Sequence, residues 1–150
     1  MIRFPERLSV DESTNRLIVA DTYNHRVLAM DLDSLEVTVL AGIGEAGWSG
    51  DGGLASEASL NTPVGVAPAP DGGTLIADTR NFVVRHVDSS GVIETIAGTG
   101  DYALTDESAG RLSFNLVGPA GISWTASGDL LIAEQYGHRI LSLPGLWDAL

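Results

Sequence analysis

The stretch DTYNHRV, residues 21 to 27, places a carboxylate, an amide, an imidazole and a guanidinium within six positions, directly after the apolar run LIVA. Such a set has the groups for general acid–base work, or for holding a metal ion between imidazole and carboxylate. A catalytic constellation is normally needed once, whereas a structural device recurs with the architecture that requires it. This one recurs. IADTRNFVV covers 76 to 84 and IAEQYGHRI covers 132 to 140, so Asp21, Asp78 and Glu134 stand 57 and 56 residues apart.

Other landmarks keep the same spacing. LAGIG at 40 to 44 returns as IAGTG at 96 to 100, Pro63 as Pro119, and APDGGTLIAD at 69 to 78 as TASGDLLIAE at 125 to 134. The chain holds about two and three-quarter copies of one unit. Within the second unit, short apolar or β-branched runs alternate with Gly, Pro, Asp and Asn, without a sustained helical period. These runs predict strands at 64–68, 74–78, 83–88 and 92–97. PDGG (70–73) and SSG (89–91) supply hairpin chemistry, because Gly accepts positive φ and Asp or Ser bonds its own backbone. Four short antiparallel strands per repeat describe a β-propeller blade. The expected fold is therefore all-β, one propeller segment over 1–150, with blades at about 5–44, 63–100 and 119–150, the last incomplete.

Composition narrows the function. The 150 residues are 44% hydrophobic, enough for a packed core, and no apolar run approaches the roughly 20 residues of a membrane-spanning helix. The start, MIRFPERLSVDE, has no apolar signal region, so a cytoplasmic location is expected if this is the native N-terminus. There is no cysteine, which removes disulfides, thiolate nucleophiles and cysteine-based zinc sites. All eight basic residues are arginine, so a Schiff-base or phosphate-binding lysine is excluded. A net charge of -12 repels polyanions, and no nucleic-acid partner is expected.

ADTYNHRV, followed by LAGIGEAGWSGDGGLASEASLNTPVGVA, closely resembles the NHL repeat, with Asn24-His25-Arg26 as the naming tripeptide. The likeness spans nearly the whole chain, since the NHR turn, the AGxG strand end, the SGDGG loop and the LNxPxGVA return appear in order. The resemblance implies a propeller, often six-bladed, used mainly as a binding platform, with some relatives acting as lyases or lactonase-like hydrolases. Departures are visible. Phe82 replaces the His in the second unit, Glu134 and Gly137 replace the Asp and Asn in the third, and DYALTDESAGRLSF has lost the SGDGG form.

Recurrence favours a structural role for the Asp-x-x-Asn-His-Arg cluster. A short carboxylate there accepts hydrogen bonds from turn N–H groups, and an Arg on the next strand can pair with a carboxylate in a neighbouring turn or blade. His25 and His138, at equivalent blade positions, should point outward around a ring without meeting. WSGDGG (48–53) lacks the lysine of a phosphate-binding loop. It reads as an inter-blade loop in which Asp51 caps a turn, with a calcium ion as the divalent alternative. No cofactor is otherwise expected.

Turns between second and third strands share one end of a blade with the loops to the next blade. That end is expected to be acidic, carrying Asp21, Asp78, Glu134, Glu45, Asp51, Glu57, Asp101, Asp106 and Glu107, partly offset by Arg26, Arg80, Arg111 and Arg139. Tyr23, Trp48, Tyr102 and Tyr136 are its candidate contact aromatics, with His25 beside them; packing between blades is the competing role for Trp48 and Tyr136. The leading function is a non-catalytic scaffold binding a protein or small ligand on this face. The alternative is a metal-assisted lyase or lactonase-like hydrolase at the channel mouth. A closed propeller needs at least four blades. The arc is therefore expected to find its remaining blades in a longer chain, or to self-associate into a ring in which residues 144 to 150 finish a partner's blade.

Overall fold

The computed structural model describes residues 1–103 and 113–146, and within them the chain forms three antiparallel sheets in succession. The first has the order β1 (Pro5–Asp11), β2 (Arg16–Asp21), β3 (Arg26–Asp31), β4 (Val37–Ala41). A short strand, β5 (Gly53–Leu54), precedes the second sheet, which runs β6 (Gly65–Pro68), β7 (Thr74–Asp78), β8 (Val83–Val87), β9 (Val92–Ala97), with β5 added beside β9. The third comprises β10 (Pro119–Trp124), β11 (Leu130–Glu134) and β12 (Arg139–Leu143). The extra strand β5 went unseen in the sequence because two residues carry no period.

Register repeats with the sequence. Ala20 pairs with Val27, Ala77 with Val84 and Ala133 with Ile140. The third and fourth strands slip register at Val27/Leu28 in the first sheet and at Val84/Arg85 in the second. Hairpin carboxylates close the opposite ends. Asp31 accepts from the Asp33 and Ser34 amides, and Asp88 from the Ser90 and Val92 amides, at 2.7 to 3.0 Å.

Side chains alternate across each strand, so every sheet has a face toward its predecessor and a face toward its successor. Ile18, Ala20, Val27 and Ala41 of the first sheet pack with Val66, Ile76, Val87 and Ile93 of the second. Leu75, Val84, Ile96 and Ala97 pack in turn with Leu130, Ile132 and Leu141 of the third. Each large apolar side chain fully buried this way contributes about 1.5–3 kcal/mol relative to exposure. Gly65 marks the close approach of innermost strands. A Cβ there would stand 2.1 Å from the carbonyl oxygen of Ala120 on β10. The two outermost faces lack this cover: Leu8, Val10, Val37 and Val39 are exposed on the first sheet, and Ile140 on the third. Among the described residues no helix is long and apolar enough to cross a membrane.

Candidate functional site

The repeated cluster forms one turn three times over. After β2 and β7 the chain makes a single 3-10 turn, Thr22–Asn24 and Thr79–Asn81. The residue closing it, His25 or Phe82, adopts the left-handed region, as does their counterpart His138 at φ 51. The carboxylate at the strand end then reaches back to the segment that leads into its own blade. Asp21 accepts the amide of Arg3 at 2.6 Å, Asp78 that of Asn61 at 2.7 Å and Glu134 that of Val117 at 2.6 Å. The same three residues receive a bond at their carbonyls, from the amides of Tyr23, Arg80 and Tyr136. Each turn thus grips both backbone groups of one incoming residue.

An amide and a guanidinium complete the knot. Asn24 donates to both oxygens of Asp21 at 2.9 Å, and Arg26 Nε donates at 2.8 Å. Asn81 binds Asp78 at 2.7 Å and also the carbonyl of Gly47 in the preceding loop. In the third unit Arg139 Nε pairs with Glu134. The longer Glu134 fills the space an Asn would take, for a Cβ on Gly137 would lie 2.3 Å from its Oε2. Glu134 and Gly137 are therefore one coupled replacement. Arg26 and Arg139 bond carboxylates of their own turns rather than of neighbours, because β2–β3 and β11–β12 register places each Arg directly opposite its acid.

The second unit differs. Val83 stands where Arg26 and Arg139 stand, and the cation comes from Arg85, in the register position of Leu28 and Leu141. Arg85 is fully buried between the first two sheets. Its Nη2 donates to Asp51 at 2.6 Å and to the carbonyl of Ser49 at 3.1 Å, while Nη1 lies 3.7 Å from Asp78. Among the described residues Nε and Nη1 have no hydrogen-bond partner. The electrostatic outcomes diverge. Burial raises the Asp21 carboxyl, but the Arg3 amide, Asn24 and Arg26 overcome that and hold it below its ordinary value. Burial pushes Asp78 up to about 7 against the opposing pull of the Asn61 amide, Asn81 and the charge of Arg85.

Asp21, Asp78 and Glu134 are thus buried and bonded inward. Asp51 lies at the outer edge of the second sheet and binds Arg85 rather than a turn amide. His25 bridges units, its Nδ1 accepting the amide of Thr62 at 3.1 Å. Tyr23 packs at a tilt against Phe4, ring centroids 4.9 Å apart, and Tyr102 against Phe82 at 5.1 Å. Trp48 lies over Gly100, where a Cβ would come within 2.2 Å of its ring, and donates to Thr95 at 3.3 Å. Tyr136 lies over Gly118 in the same manner. All four aromatics still keep 44–63% of their surface exposed. Arg80, Glu45, Glu57 and Asp101 are exposed as well, whereas Asp106, Glu107 and Arg111 lie outside the described residues, as do 147–150. Among the described residues no group of three or more His, Asp or Glu is placed to hold a metal ion. Arg85 was missed from the sequence, although a basic residue in a repeat position that is otherwise Leu is the signal for it.

Three antiparallel sheets, stacked face to face with innermost strands in contact, define a segment of a β-propeller. Residues 5–126 match the family model of the Teneurin NHL domain. The chain belongs to the NHL-repeat family. It is 33% identical to NHL repeat-containing protein 2 of Gallus gallus over 149 residues, covering 93% of this chain and 20% of that protein. It is 36% identical to Teneurin-3 of Mus musculus over 107 residues, covering 63% of this chain and 4% of that one. A structural genomics protein of unknown function from Bacteroides thetaiotaomicron shares the fold, with a TM-score of 0.82 at 23% identity over 93% of this chain and 34% of that chain. The chain spans a fifth or less of the curated relatives' lengths.

Proposed function

We propose that this chain is a non-catalytic propeller segment that presents its loop end to a protein or small ligand. One observation carries the reading: the repeated carboxylates Asp21, Asp78 and Glu134 are turned inward to hold each blade, while Tyr23, Trp48, Tyr102 and Tyr136 stay at the surface. Half-exposed aromatics on a rigid frame are contact residues in many interfaces. A lyase or lactonase-like activity would instead require carboxylates free to meet substrate or a divalent cation, and Asp21, Asp78 and Glu134 already carry two or more bonds each. The net charge disfavours nucleic acid. Further blades cover the two apolar outer faces, supplied by a longer chain or by a second copy; the mass of the 150-residue chain in solution separates the two.

Crosslinking coupled to mass spectrometry tests the binding reading. Crosslinks between captured partners and the turns around 23, 48, 80, 102 and 136 are expected, and crosslinks confined to the opposite hairpins would defeat it. A melting temperature raised by Ca2+ or Mn2+ would favour the enzyme.

A further inference from the structure

The seams between successive blades are closed differently at the loop end. Between the first and second sheets, His25 Nδ1 takes the amide of Thr62 and ties one turn to the next incoming segment. Between the second and third, the corresponding residue is Phe82, whose side chain offers no acceptor and packs at a tilt against Tyr102 instead. A cleft of about 400 Å³ opens there, lined by Asn61, Arg80, Phe82, Tyr102 and Tyr136. One wall is fixed, since Tyr136 rests on Gly118 at a spot any side chain would occupy. Arg80 is exposed, and among the described residues its guanidinium has neither an ion pair nor a hydrogen bond, in contrast to Arg26, Arg85 and Arg139.

These features select a ligand. Aromatic rings on two sides favour a flat ring, which stacks or meets them edge to face. A planar guanidinium with open donors suits a carboxylate, which it binds through paired hydrogen bonds. The size falls in the range of small-molecule pockets. The overall negative charge does not cancel this attraction, because at physiological salt it is screened beyond about 8 Å while Arg80 lines the cleft itself.

We infer that the cleft between the second and third blades binds a flat ring bearing a carboxylate, the ring between Tyr136 and the Phe82–Tyr102 pair and the carboxylate on Arg80. The inference rests on the platform reading above and gives that platform a ligand class. A free small carboxylic acid that carries an aromatic ring and the C-terminal Phe or Tyr of a peptide share this chemistry.

Titration of the 15N-labelled chain, followed by amide chemical shifts, tests it with N-acetylphenylalanine, its uncharged amide, and a peptide ending in Phe with either a free or an amidated C-terminus. N-acetylphenylalanine should bind saturably with a Kd on the order of 1 mM, shifting signals around residues 80, 82, 118 and 136. The amide should bind about tenfold more weakly. Arg80→Gln should remove that preference without altering amide binding, and Tyr102→Ala should weaken both. Binding of both acid forms identifies a chain terminus as a source, and binding of the small acid alone identifies a free metabolite-sized carboxylate. Equal affinity for acid and amide, an unaffected Arg80→Gln variant, or shifts around Tyr23 and Trp48 alone would overturn the assignment. The last result would leave the platform reading standing, which is tested separately by the crosslinking pattern.

Discussion

The turns after β2 and β7 have the same backbone, the same carboxylate and the same amide partner, yet their carboxylates are shifted in opposite directions from the ordinary value. In the first, Arg26 lies across from Asp21 at the half-exposed end of a strand. In the second, the cation has moved two residues along the strand into the buried seam, where Arg85 serves Asp51 and Ser49 first and Asp78 at 3.7 Å. A fixed turn geometry therefore does not fix its electrostatics; Asp78 lies deeper than Asp21, so desolvation wins there, and its cation stands farther off, at 3.7 Å against 2.8 Å. The first turn is a local staple. The second also ties the 49–51 loop to the seam between blades.

The largest expected contrast comes from deleting each arginine. Arg85→Ala leaves Asp78 and a cavity inside the seam and should cost about 3–5 kcal/mol in urea unfolding. Arg26→Ala removes the partly exposed partner of a buried carboxylate that keeps its bonds from the Arg3 amide and Asn24, and should cost less, about 1.5–3 kcal/mol. Equal losses would erase the distinction. A second contrast is steric. Gly65→Ala drives a Cβ against Ala120 between two packed blades and should cost about 1–3 kcal/mol. Gly121→Ala meets only Ala133 at 3.2 Å on the uncovered face and should cost far less, unless another blade is seated there.

The pH dependence sharpens the comparison further. Asp78, raised in the fold, contributes stability that is complete below the unfolded value near 4 and is lost as pH rises to about 7. Asp21, lowered in the fold, contributes stability present above that unfolded value and lost as pH falls through its folded pKa. Thermal melts from pH 3 to 8 should show Asp78→Asn flattening the decline between pH 4 and 7, and Asp21→Asn altering only the acid limb. The smallest effect is expected from His25→Phe, which copies the second unit. It loses one neutral bond to Thr62, about 1 kcal/mol, and should increase exchange of the Thr62 amide.

The repeat, the sheets and the four-strand order were legible in the sequence because period-2 patterning and turn residues recur with the unit. The carboxylate turn was legible as a structural device for the same reason. Its bonding was less so, since Arg26 and Arg85 are both simply arginines on a third strand until register assigns one to an edge and the other to a seam. The pairing of Asp51 is not legible in its local sequence, where it resembles a turn cap, because its partner lies 34 residues away. The strand β5 was hidden in a glycine-rich loop. Phe82 was visible as a departure from the repeat, but that it opens a cleft follows only from the missing bond to the next segment.

Carbon-detected titration of the side-chain carboxyls, assigned with Asp21→Asn and Asp78→Asn, measures the two turns side by side in one folded protein. The account predicts a midpoint near 7 for Asp78 and one below the ordinary carboxylate range for Asp21. Matching midpoints near 4, or an Asp78 midpoint as low as that of Asp21, would mean that the burial of Asp78 is fully offset by its partners as that of Asp21 is, and the difference between the blades would not exist.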